Sequence, residues 1–155
     1  MKTIIDRLLK FLIVEFVLFV LLIIALFVLG YFNVIPNGIM AAKECANTAY
    51  IFNVATIVLV ALAIWTAVRL FVLNTEKNIK RYTLDNAVKT YHVWSVIRLL
   101  VMFLAITFAI CTHFLTKEDI GLFCSIVLLL MCVIYCIPSR KKITDYLDKV
   151  KGETE

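Results

Sequence analysis

Four long runs of apolar residues, separated by short polar segments, dominate the sequence. They cover residues 11–32, 49–73, 93–115 and 120–137. A helix needs roughly 20 residues, with a range of about 17 to 25, to cross the hydrocarbon core of a bilayer, and all four runs meet this requirement. Because lipid offers no hydrogen-bond partner to an open backbone, each run should be a helix. The pattern predicts an all-α integral membrane protein whose four transmembrane helices form an up-down bundle.

A basic tail, residues 138–155, follows the four-span domain at 1–137. Apolar residues recur in it with helical spacing at Ile143, Tyr146, Leu147 and Val150. This spacing predicts a short amphipathic C-terminal helix. Two interpretations of it stay open. The helix docks on the inner membrane surface or on a partner, or the segment is a frayed tail, because so short a helix is marginal on its own.

The composition supports a lipid environment. The chain has 155 residues, of which 63% are hydrophobic and 17% charged, whereas soluble domains are about half apolar and a quarter charged. The length suits one domain. The start, "MKTIIDRLLK" before the first run, is similar to a secretory signal. The run is longer than a signal core and no small-residue cleavage motif follows, so we expect it to be retained as a span.

The distribution of basic residues predicts the orientation. Of the 16 Lys and Arg residues, Arg69 and Arg98 lie within the runs. Twelve of the others fall in the N-terminal segment, the second loop or the tail, and only Lys43 and Lys117 fall on the opposite side. The positive-inside rule then places both termini in the cytoplasm. We expect a plasma-membrane location (the inner membrane of a Gram-negative cell) and contact with anionic lipid at the cytoplasmic face. No nucleic-acid-binding module is visible.

Three ionisable residues within the runs form a predicted inner-leaflet charge cluster: Glu15, Arg69 and Arg98. The arginines occur in two similar stretches, "IWTAVRLFVL" and "VWSVIRLLVM", and all three residues lie about 6 to 7.5 Å inside the cytoplasmic ends of their spans. A long arginine side chain can reach the headgroups from that depth. The shorter Glu15 needs a partner, and we expect Arg98 to supply it while Arg69 extends to the headgroups.

Other polar and aromatic positions predict contacts between helices and with the membrane surface. Residues at every third position of the second span are predicted to form one polar face: Asn47, Tyr50, Asn53 and Thr56. In lipid such a face turns toward neighbouring helices, and a polar cavity open to the outside is the alternative. Tyr91 and Trp94 are predicted to belong to the interfacial aromatic belt.

The cysteines and histidines point away from redox or metal chemistry. The five cysteines include no C-x-x-C pair. Cys111 and Cys124 should lie at similar depth, so a disulfide between them stays open, although packing is the simpler role. His92 and His113 are separated by about 31 Å along the third span and cannot share a metal. We therefore expect no metal and no cofactor.

No catalytic or ligand-binding motif is apparent in the sequence. It favours a multi-pass membrane protein, more plausibly not an enzyme, that acts by binding other membrane components as an accessory subunit, scaffold or protective partner. The component is a second membrane protein or another copy of the chain. The alternative is a small self-assembling transporter or channel that uses the inner-leaflet charge cluster.

Overall fold

The computed structural model describes residues 2–32, 34, 38–41, 45–76 and 84–152. Within them the chain forms five α-helices: α1 (Lys2–Tyr31), α2 (Ala46–Glu76), α3 (Leu84–Thr116), α4 (Asp119–Cys136) and α5 (Arg140–Gly152). The first four are long and apolar enough to cross a membrane. The protein is thus an all-helical membrane protein with four candidate spans, as the apolar runs predict.

Two of the spanning helices extend well beyond the apolar runs. α1 begins at Lys2 and has 30 residues, and α3 begins at Leu84 and has 33. At 1.5 Å per residue these helices are about 45 to 50 Å long, whereas the hydrocarbon core is about 30 Å thick. The extra turns lie at the N-terminal ends of both helices, before the apolar runs begin. These segments contain charged residues, which are compatible with a helix outside the hydrocarbon core.

The third helix occupies the centre of the bundle. α3 packs against α1, α2, α4 and α5, and α2 also contacts α4. Small residues allow the close approach, because Ala105 and Ala109 of α3 are fully buried and Gly121 of α4 lies against the α3 backbone. Such small residues are typical of interfaces between membrane helices. The main core consists of large side chains around them: Phe19, Ile23, Val60, Met102, Ile106, Ile110 and Leu128.

A second core lies around the N-terminal turns of α1 and α3. It contains buried residues of three helices: Ile5, Leu8 and Leu12 of α1, Ala87 and Tyr91 of α3, and Ile143, Tyr146 and Leu147 of α5. Arg140 at the start of α5 also pairs with Asp6 of α1 at 3.2 Å. The apolar face of the tail helix is therefore covered by the chain itself, not by lipid. The prediction for Val150 lies outside the described side chains.

The segment 38–41 between α1 and α2 folds over the end of α3. The backbone N–H of Gly38 donates to the carbonyl of Phe114 at 2.9 Å, and that of Met40 donates to the carbonyl of Leu115 at 3.1 Å. These bonds satisfy carbonyls that a helix end leaves without partners. Gly38 has a φ of +71°, a conformation that favours glycine.

Candidate functional site

A carboxylate and an imidazole meet between α1 and α3, next to the second core. His92 Nε2 lies 2.9 Å from Glu15 Oε1, and the two side chains are 36% and 35% exposed respectively. The other carboxylate oxygen, Glu15 Oε2, is buried and has no hydrogen-bond partner among the described residues. Within the described part of the chain, one oxygen of the Glu15 carboxylate is thus hydrogen-bonded and the other is not.

The prediction that an arginine pairs with Glu15 is corrected by this geometry. Among the described residues, the ion pair of Glu15 is with His92. Arg98 lies six residues after His92, about 240° around the helix, so α3 turns it away from α1. Its guanidinium lies beside the thiols of Cys132 and Cys136 on α4, within hydrogen-bonding reach of Cys136. Arg69 is exposed on α2. The three residues of the predicted cluster are therefore directed to different surroundings.

An apolar groove of about 190 Å³ runs from this pair along the α1–α3 interface. Its outer rim is exposed on the surface of the bundle, because Leu18, Leu22 and Leu100 are each about half exposed. Its floor includes the rings of Phe19 and Phe103, whose centroids are 5.9 Å apart in an edge-on arrangement. The lining contains one charged group and otherwise apolar side chains: Glu15, Leu18, Phe19, Leu22, Val96, Leu99, Leu100 and Phe103.

The two aromatic residues predicted for the membrane interface, Tyr91 and Trp94, lie in different environments. Tyr91 is only 5% exposed and packs on Tyr146 of α5, with ring centroids 5.1 Å apart. It belongs to the second core and not to an interfacial belt. Trp94 is half-buried. The tail helix covers a position that the sequence alone would leave at the membrane surface.

The four polar residues predicted to share one face of α2 do not share it. Asn53 and Thr56 are buried, whereas Tyr50 is 70% exposed and Asn47 is exposed. With 3.6 residues per turn, each three-residue step turns back by about 60°, so Asn47 and Thr56 point in opposite directions. The prediction of one shared face is therefore wrong, and only Asn53 and Thr56 turn toward the rest of the bundle.

Asn53 and Thr56 join a polar network at the α3–α4 turn. The amide of Asn53 donates to the carboxylate of Glu118. Thr56 Oγ1 donates to Thr112 Oγ1 at 3.0 Å, and the hydroxyl of Thr116 accepts from the backbone N–H of Glu118 at 3.2 Å. These bonds connect α2, α3 and the turn, which is the role of interhelical contacts predicted for this part of α2.

The thiols and titratable groups form no further centre within the described part of the chain. All five cysteines, including Cys111 and Cys124, are free thiols. Where the structure describes the chain, no three His, Cys, Asp or Glu side chains come together in an arrangement that could hold a metal ion.

Sequence reasoning missed His92 and Glu118, and both had a detectable signal. His92 directly precedes the third apolar run and lies at the same end of the bundle as Glu15, and this shared position is the signal. Glu118 lies in the short turn between α3 and α4, next to the N-terminal part of α2. In both cases a polar residue at a span boundary finds its partner on another helix.

Comparisons with protein-family models, with curated proteins and with solved structures found no match to this chain.

Proposed function

We propose that this chain is a non-enzymatic multi-pass subunit of the plasma membrane that acts by binding another membrane component through its outer surface. The observation that carries the proposal is the distribution of polar groups. Two polar pairs join different helices of the chain, Thr56 with Thr112 and Glu15 with His92, whereas Tyr50 and Arg69 of α2 are exposed. The outward surface is left mainly to apolar side chains, which bind lipid or another membrane protein.

The filled interior of the bundle argues against a path for ions or small molecules through a single copy of the chain. Met102, Ile106, Ile110 and Leu128 lie along the centre of the bundle and are each at most 2% exposed. An interior filled by such buried side chains leaves no room for a column of water. A function of the single chain is therefore better sought on its outside than along its axis.

The most accessible outer surface belongs to α1. In the most apolar 18-residue stretch of α1, only 17% of the residues are buried, against 33% in the corresponding stretches of α3 and α4. Phe11, Val14 and Leu18 are each more than half exposed there. A helix attached to the bundle along one side has the largest free surface for a second membrane protein or another copy of this chain.

The proposed orientation has both termini in the cytoplasm, on the basis of the charge distribution described above. Alternating helix directions are consistent with the contacts. The ring pairs Phe19–Phe103 and Phe27–Phe114 advance together along α1 and α3. The contacts between α3 and α4 are consistent with opposite directions. Arg98, in the first half of α3, lies near the end of α4, and Gly121, at the start of α4, lies against the last turns of α3. The cytoplasmic side would then contact anionic lipid.

A crosslinking experiment tests the proposed partner surface. A photoreactive amino acid at Val14 of α1 should give one discrete protein adduct in membranes of the native host, and the same group at Ile134 of α4, which is also exposed, serves as the matched control. Discrete adducts from α1 alone support the proposal. Lipid adducts alone at both positions contradict it.

A self-assembling transporter is the second candidate, and the incomplete burial of Glu15 favours it. A carboxylate that is 35% exposed on the flank of the bundle could line a path formed between copies. Flux of ions or small cations in proteoliposomes containing only this chain, abolished by Glu15→Gln, would establish this candidate and refute the accessory role.

A further inference from the structure

The α1–α3 groove combines a half-satisfied carboxylate with an apolar channel that is open on the outside of the bundle. From this we infer that the groove binds a lipophilic amine, a molecule with one apolar chain or ring system joined directly to one protonated amino group. The inference does not depend on the partner proposed above, since the ligand would bind the isolated chain.

The charged end of the groove calls for a hydrogen-bond donor. His92 occupies Oε1 of Glu15 at 2.9 Å, while Oε2 lacks a hydrogen-bond partner among the described residues and is covered by its neighbours, so the Glu15 side chain has to rotate toward the groove to meet a ligand. A carboxylate oxygen in an apolar setting is costly without a donor. A protonated amine supplies both the positive charge and the N–H, and charge-assisted hydrogen bonds of this kind are the stronger class.

The rest of the groove calls for an apolar body. Beyond Glu15 the α1 side consists of leucine and phenylalanine side chains, and the α3 side runs from Val96 to Phe103. The polar group lies at the N-terminal end of both lining segments, so a ligand with its cation at one end and its chain beyond it matches the groove in order as well as in polarity.

This order distinguishes an amine from an ordinary phospholipid. In a phospholipid the charged group nearest the acyl chains is the phosphate, which is anionic and would lie against the Glu15 carboxylate. Like charges at short distance in a weakly polar site repel strongly. A single-chain amine places the opposite charge at that position, so charge complementarity selects it.

A second groove on the same protein provides an internal control. It lies on the outer surface of α2, has a volume of about 530 Å³, and is lined by Tyr50, Ile51, Val54, Ala55, Val58, Leu59 and Leu62. It is larger than the α1–α3 groove, but none of its lining side chains is charged. Binding driven by apolar area alone should favour this second groove.

Equilibrium dialysis of radiolabelled decylamine against the full chain in lipid nanodiscs tests the inference, with nanodiscs that lack protein to subtract partitioning. We expect one saturable site for decylamine and no saturable binding of decanol or decyl sulfate. Glu15→Gln should weaken decylamine binding at least about tenfold, because it keeps an acceptor but removes the negative charge that pairs with the ammonium group. Circular dichroism verifies that this variant folds.

Two tryptophan variants at lipid-exposed positions keep the test decisive if Glu15→Gln does not fold. Leu100→Trp should block the α1–α3 groove and abolish the saturable site, while Leu62→Trp should block the α2 groove and leave decylamine binding unchanged. Equal saturable binding of decanol or decyl sulfate, binding that survives both Glu15→Gln and Leu100→Trp, or loss of binding in Leu62→Trp would each overturn the inference.

Discussion

The pairing of Glu15 with His92 makes a quantitative prediction about the stability of the bundle. We consider Glu15→Ala, His92→Ala and the double variant, compared in a double-mutant cycle. A hydrogen bond to a charged group contributes about 1.5 to 3 kcal/mol in proteins, but each side chain here is about one third exposed. Polar contacts between membrane helices average about 0.6 kcal/mol, with a maximum near 1.7 kcal/mol. We therefore expect a coupling energy of about 1 kcal/mol.

The assay is unfolding of the purified protein in mixed micelles of mild detergent and dodecyl sulfate, followed by circular dichroism. Glu15→Gln retains a hydrogen-bond acceptor, so with His92→Ala it should give a smaller coupling energy than Glu15→Ala does. A parallel cycle of Glu15→Ala with Arg98→Ala is the control, and its coupling should be below about 0.5 kcal/mol because α3 directs Arg98 toward α4. Additive effects for Glu15 and His92, or a larger coupling with Arg98, would refute this account.

Three further predictions concern packing and hydrogen bonding. Gly121→Ala should destabilise the protein by about 1 to 3 kcal/mol, because a Cβ there would lie 2.5 Å from a backbone oxygen of α3. Gly30→Ala should cost less in the same unfolding assay, because its Cβ would meet the ring of Phe114, and a side chain can shift more easily than a helix backbone. Leu147→Ala should cost about 2 to 5 kcal/mol and speed tryptic cleavage of the tail, because Leu147 is 1% exposed in the second core, whereas the exposed Asp145→Ala should do neither. Thr56→Val should cost about 0.6 kcal/mol, and at most about 1.7 kcal/mol, through loss of its interhelical hydrogen bond, measured by the same unfolding curve.

Each of these expectations has an outcome that would contradict it. No destabilisation by Gly121→Ala would mean that α3 and α4 can separate far enough to admit a methyl group. An unchanged rate of tail cleavage in Leu147→Ala would mean that α5 is not held by the second core. A stabilising effect of Thr56→Val would mean that the threonine pair does not hold α2 against α3.

Local sequence was sufficient for the four candidate spans and insufficient for the site. The length and apolarity of a span are properties of consecutive residues, so counting along the chain predicts it. The partner of Glu15 depends on which way α3 is rotated about its own axis. That rotation is set by the packing of Ala105, Ala109 and Gly121, which no local pattern reports.

The sequence by itself determined the helical class and the approximate positions of the four candidate membrane spans, because both follow from the cost of exposing backbone or charge to lipid. Only the tertiary structure decided that the tail helix folds onto α1 and α3, that Tyr91 is buried beneath it, and that Glu15 meets a histidine. Helical spacing says which residues share a face, but the choice between lipid, another copy and the chain's own helices as the cover for that face depends on three-dimensional fit. The apolar stripe of α5 is the clearest case, since its spacing was evident and its cover lies more than fifty residues earlier in the chain.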